Sequence, residues 1–136
     1  MVAISIVYEG KLHCKATHMP SGTILETDAP KDNNGKGESF SPTDLVATAL
    51  GSCMLTVMGI ASRTLNVDLT GTTVTVNKEM AVVPVRRIGK LTVTLNFPMQ
   101  ISEENKKKLE HAALACPVHK SLHPDVAMPI EFNWDS

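Results

Sequence analysis

Aromatic side chains are scarce: one Trp, one Tyr and three Phe make up 4% of the 136 residues. A surface of base-stacking rings, as used by binders of single-stranded nucleic acid, is therefore not expected. Neither sign of charge dominates, with 13 Lys and Arg against 14 Asp and Glu, so the summed field is too weak to attract nucleic acid or an anionic membrane. The nearest basic patch, Lys106, Lys107 and Lys108, reads as the solvated face of a helix. No apolar run approaches the roughly 18 residues that span a bilayer. The start, MVAISIVYEG, lacks a basic segment and an apolar core followed by a cleavage site, so it does not read as a signal peptide. Cysteines number three, too few and odd for a secreted disulfide framework. A cytoplasmic protein with no nucleic-acid or membrane partner is expected, its thiols kept reduced and any disulfide transient and chemical.

What is present is a good supply of core-forming residues, 43% hydrophobic over 136 positions, enough for one domain spanning 1–136. Several segments alternate with period two, the mark of strands with one buried face. Ile4, Ile6 and Tyr8 form one face of the first; strands over Lys11–Thr17 and Gly22–Asp28 follow after Gly- and Pro-containing turns. Val74 and Val76, then Leu91, Val93, Leu95 and Phe97, alternate with Thr and Asn, and Ile130, Phe132 and Trp134 do the same at the end of the chain. One-sided alternation implies antiparallel sheet.

Two helices interrupt the strands. The first opens Ser41-Pro42-Thr43-Asp44, where Ser41 caps, Pro42 occupies the position at which a missing N–H costs nothing, and Asp44 can complete a capping box. From Leu45 to about Leu65 it is rich in Ala, Leu, Val, Met and small residues all round, with no basic residue before Arg63, which predicts burial on most sides. Ser102 caps the second, with Glu103 and Glu104 at its positive end. Leu109, Ala112, Ala113 and Cys116 form its apolar face, Pro117 interrupts it, and a short helical turn through Val118–Leu122 is expected next. The polar segment Ala29–Phe40 is read as a loop. The order βββ-α-ββ-αα-β describes an α+β fold, an antiparallel sheet around a buried central helix.

Cys53, in Gly51-Ser52-Cys53-Met54, and Cys116 both lie on inward helix faces. Each can serve simply as a small core hydrophobe. If they meet, the chemistry is specific: a thiolate cleaves a peroxide O–O bond, becomes a sulfenic acid, and condenses with a second thiol to a disulfide. An apolar surround favours bulky organic peroxides over hydrogen peroxide.

The run from Ser41-Pro42-Thr43-Asp44 to Gly51-Ser52-Cys53, with Ala115-Cys116-Pro117-Val118 later, resembles the osmotically inducible protein C and organic hydroperoxide resistance (OsmC/Ohr) superfamily. The resemblance implies an OsmC-like fold in an intertwined homodimer, with sites at the subunit interface. It implies Cys53 as the peroxidatic thiol, Cys116 as the resolving thiol, an organic hydroperoxide as substrate, no bound cofactor, and reduction by an external dithiol such as dihydrolipoamide. In the peroxidase branches the residue after the proline is usually Glu, which orients an arginine from the N-terminal strands; here Thr43 stands there, Asp44 is one position off, and no arginine precedes Arg63. Lys11, His13 or Lys15 can supply a replacement cation, with His13 favoured.

Two other readings compete. Cys116-x2-His119-x3-His123, with Cys14 or His111 as a fourth ligand, has zinc-like spacing, although Pro117 and Pro124 bracket it and no metal is expected. A non-catalytic or divergent dimer binding a small apolar ligand would use Met54, Met58, Met80, Met99 and Met128 as a soft lining.

Overall fold

The computed structural model describes residues 1–135. Its elements are β1 (Ile4–Tyr8), β2 (His13–His18), β3 (Ile24–Asp28), a 3-10 turn at Lys31–Asn33, α1 (Pro42–Thr64), β4 (Thr73–Ala81), β5 (Arg87–Phe97), α2 (Glu103–Ala113), α3 (Pro117–Ser121) and β6 (Ile130–Trp134). Apart from the short turn in the polar loop, this is the order expected from the sequence. The chain divides into two compact units, Met1–Val46 and Ala47–Ser136.

The first unit is an antiparallel meander, β1-β2-β3. Gly10, Lys11 and Leu12 all take positive φ in the β1–β2 connection, and the ladder opens on the Glu9 N–H donating to the His13 carbonyl. Register then sorts the side chains. Tyr8 pairs with Cys14, Ile6 with Ala16, and Ala16 with Leu25, so these share one face; His13 pairs with Asp28 and Lys15 with Glu26 on the other. The apolar face is open to solvent in the single chain, where Ile4, Ile6, Tyr8 and Leu25 are between 46% and 64% exposed.

The second unit holds the core. Its sheet has the order β4-β5-β6, and Leu91, Val93, Leu95 and Phe97 of the central strand are all at most 2% exposed. Every inward position of the β5 alternation is thus buried. The last strand departs from the expected antiparallel arrangement: β6 runs parallel to β5, because α2 and α3 lie between the two strands and return the chain to the starting end, as a parallel crossover requires. Alternation reports which face is buried, not strand direction.

Burial of α1 also differs from expectation. Ala47, Leu50, Gly51, Met54, Met58 and Ser62 are buried, a single stripe at helical spacing, while Ser52, Thr56 and Ile60 face solvent. By length and composition α1 is apolar enough to cross a membrane, with a mean hydropathy of 1.8, a property hidden in the sequence by its interspersed Ser, Thr and Gly. In the fold it packs on β4: a Cβ built on Gly51 would lie 2.9 Å from Val76 Cγ2, so glycine permits a close helix-to-strand approach there.

Candidate functional site

Helix α1 is fixed at its start by the capping box. The Asp44 N–H donates to Ser41 Oγ (3.1 Å) and the Ser41 N–H to Asp44 Oδ2 (2.9 Å). Thr43 shares a hydroxyl contact with Ser41 at 3.2 Å. These bonds engage both candidate orienting residues, Thr43 and Asp44, in helix initiation.

Three turns on, Cys53 is half-buried beside the fully buried Met54. Its partner comes from a different construction. Helix α2 stops at Ala113, three residues short of the extent its apolar spacing suggested, and Cys116 is the N-cap of α3 instead of the last residue of α2. Pro117 is the reason: its ring disfavours the helical region for the preceding residue, and Cys116 accordingly sits at φ −55°, ψ 123°. The turn sends the Cys116 side chain inward, where the residue is 0% exposed. Its sulfur accepts from the His119 N–H at 3.4 Å.

Cys116 also lies close enough to Cys53 for the second thiol to influence its ionisation, so the fold brings the two cysteines near each other. Burial pushes the pKa of the Cys116 thiol up from its ordinary value, and the neighbouring Cys53 pushes it further in the same direction. The His119 and Val118 N–H groups oppose the shift. Cys116 is therefore held protonated, facing a more accessible sulfur. All three cysteines are free, and Cys14 belongs to the first unit, where it shares a pocket with Tyr8, Leu12 and Thr27.

His13 also lies in the first unit. Its Nδ1 is 2.6 Å from Asp28 Oδ1; its Nε2 is 3.1 Å from Glu26 Oε1 and 3.5 Å from Glu9 Oε1. The hydrogen bond to Asp28, then that to Glu26, raises its pKa above the ordinary histidine value against a smaller effect of desolvation. The candidate cation thus spends both ring nitrogens on carboxylates of its own sheet. None of Glu9, Glu26 and Asp28 was singled out from the sequence. Their signal was the hairpin register, which the sequence alone did not fix.

The zinc-like spacing does not converge. His119 contributes its backbone N–H to Cys116, while His123 turns to the exposed Asp125 at 3.7 Å. Among the described residues, the one His/Cys/Asp/Glu group whose ligand atoms come within 4.8 Å of one another is Glu9, His13 and Glu26.

Residues 35–131 match the family described as OsmC-like protein. No curated protein matches the sequence. Among solved structures, one from Psychrobacter arcticus 273-4, described as that of a "putative osmotic stress induced and detoxification response protein", is 43% identical, covers 98% of this chain and 96% of its own, and superposes with a TM-score of 0.92. An organic hydroperoxide resistance protein OsmC of Legionella pneumophila shares 12% identity over 98% of this chain and 96% of its own, with a TM-score of 0.79. The organic hydroperoxide resistance protein OhrB of Bacillus subtilis shares 16% identity over 98% of both chains, at a TM-score of 0.70. The last two establish likeness of fold.

Proposed function

The chain is a member of the OsmC-like protein family, and from that premise we propose that it is a thiol peroxidase acting on organic hydroperoxides, with Cys53 as the attacking thiol and Cys116 as the resolving one. The observation that carries this reading is the asymmetry of the pair. Cys116 is fully buried, and burial together with the neighbouring Cys53 holds its thiol protonated, while Cys53 is half-buried and the more accessible of the two sulfurs. The Cys53 sulfur attacks the O–O bond of the hydroperoxide; an S–O bond forms, the O–O bond breaks, and the alcohol leaves with a proton. Cys116 then attacks the sulfenic sulfur, an S–S bond forms, and water departs. The two electrons come from the thiols, and exchange with an external dithiol such as dihydrolipoamide restores them.

Solvent-open apolar surface supports a homodimer. Ile6 and Tyr8 on β1 and Ile60 on α1 are each at least 60% exposed, and an α1 apolar beyond its buried stripe calls for a second copy as cover. Stress defence in the cytoplasm is the setting this chemistry fits. Cys53→Ser is expected to abolish hydroperoxide turnover, and Cys116→Ser to accumulate a sulfenic acid trapped by dimedone. Turnover retained in Cys53→Ser defeats the reading, as does ligand binding with no loss of thiols. Light scattering on the eluting protein tests the dimer, which a monomer mass would exclude.

A further inference from the structure

The thiol cycle proposed above draws on none of the side chains clustered on the polar face of the first sheet. We propose that Glu9, His13 and Glu26 form a binding site for a divalent transition-metal ion of the zinc class, with Asp28 as the residue that orients His13.

The donors come from three consecutive stretches of chain that the meander brings side by side. Glu9 leaves β1 at the turn, its N–H bonded to the His13 carbonyl; His13 begins β2; and Glu26 lies on β3 two residues from Asp28, the residue directly opposite His13. Spacing fits a metal. Nitrogen and oxygen ligands each about 2.0–2.2 Å from a tetrahedral zinc ion lie roughly 3.3–3.5 Å from one another. His13 Nε2 is 3.1 Å from Glu26 Oε1 and 3.5 Å from Glu9 Oε1, and all three ligand atoms lie within 4.8 Å of one another.

The second observation is Asp28. Metal-bound imidazoles almost always give their other N–H to a carboxylate or carbonyl, which fixes tautomer and ring direction. Asp28 does this at 2.6 Å from Nδ1 with a side chain only 9% exposed, and its own N–H is tied to the Phe40 carbonyl at 3.0 Å. With Nδ1 held by Asp28, a dication would displace the proton that Nε2 shares with the carboxylates, and the freed Nε2 lone pair would join those of the two carboxylate oxygens around one small volume. One imidazole with two carboxylates suits zinc, manganese, iron or cobalt. Glu9 and Glu26 side chains are 42% and 55% exposed, which gives an ion a route in and leaves room for water as a further ligand. A bound ion would join β1, β2 and β3 at one end of the sheet.

The test uses the full chain, stripped with chelator and titrated with Zn²⁺ by calorimetry and with Co²⁺ by its visible absorption. Because thiols also bind zinc, the triple variant Cys14→Ala/Cys53→Ala/Cys116→Ala is titrated beside the native protein. One ion per chain with micromolar or tighter affinity in both, a Co²⁺ spectrum free of thiolate charge-transfer bands in the triple variant, and a melting temperature that rises with Zn²⁺ are expected. Asp28→Asn should weaken binding about 10- to 100-fold. Glu9→Gln and Glu26→Gln change exposed side chains and should keep the fold by circular dichroism while losing the site. No saturable binding below about 1 mM (a free energy near −4 kcal/mol) overturns the proposal. So does native affinity in the Glu9→Gln/Glu26→Gln double variant, or binding that disappears only with the cysteines.

Discussion

Replacing Gly51 by alanine separates intrinsic helix propensity from packing against the sheet. In an open helix the change stabilises by about 1 kcal/mol. At Gly51 the new methyl would sit 2.9 Å from Val76 Cγ2 and 3.3 Å from Val74 Cγ1, whereas carbon–carbon contact becomes comfortable only near 3.5 Å. The helix and strand must therefore separate by about 0.6 Å. Neither valine can swing aside cheaply, because β-branched side chains are stiff at χ1 and both residues are paired to β5, Val74 with Leu95 and Val76 with Val93. Overpacking of this kind costs about 1–3 kcal/mol; less the propensity gain, Gly51→Ala should destabilise by about 0–2 kcal/mol. Gly59, on the same helix with nothing within 4 Å of its Cβ position, is the control and should stabilise by about 0.5–1 kcal/mol as alanine. Urea unfolding of both variants and of Gly51→Ala/Val76→Ala decides the matter: relief in the double variant is expected, with a coupling of about 0.5 kcal/mol or more. If Gly51→Ala stabilises as much as Gly59→Ala, the close approach is refuted. The same displacement moves Cys53, two residues along, so disulfide formation should slow in Gly51→Ala.

Alkylation of Cys116 followed against pH should show a more acidic thiol in Cys53→Ala than in the native chain, since the influence of Cys53 is gone while burial remains; an unchanged profile would deny the coupling. A thiol whose folded-state pKa is raised contributes stability that is fully present below its unfolded pKa, near 8.5, and lost as pH climbs toward the folded value. Unfolding midpoints should therefore fall above about pH 8.5, with a shallower fall in Cys116→Ala, and equal slopes would contradict the shift. Ser41→Ala and Asp44→Ala each remove half of the capping box and should lose about 0.5–2 kcal/mol by chemical unfolding; stabilities within error of native would mean that the box adds nothing.

Local signals were read well because they act over a few residues. Ser41 and Asp44 cap as their spacing requires, Ser102 accepts from the Asn105 N–H, and all four alternating residues of β5 are buried. What the sequence withheld depends on pairing at a distance. Nothing in the Ile130–Trp134 alternation encodes a parallel neighbour, and nothing around His13 reveals that Asp28 lies opposite it and that Glu9 and Glu26 flank it. Cys116 shows a subtler failure: helical spacing placed it on α2, yet Pro117 removes it from that helix and still leaves it buried, because the turn into α3 points the side chain inward. The thiol pair could be suspected from its two motifs, whereas the difference in burial between the two sulfurs needed the fold itself.

The most direct measurement is peptide mapping by mass spectrometry, without reductant, after one equivalent of cumene hydroperoxide. The proposed cycle predicts loss of two thiols per chain and a single cross-linked product joining the Cys53 and Cys116 peptides, with Cys14 still free. Three unmodified cysteines, or a disulfide that includes Cys14 in place of either partner, would contradict it.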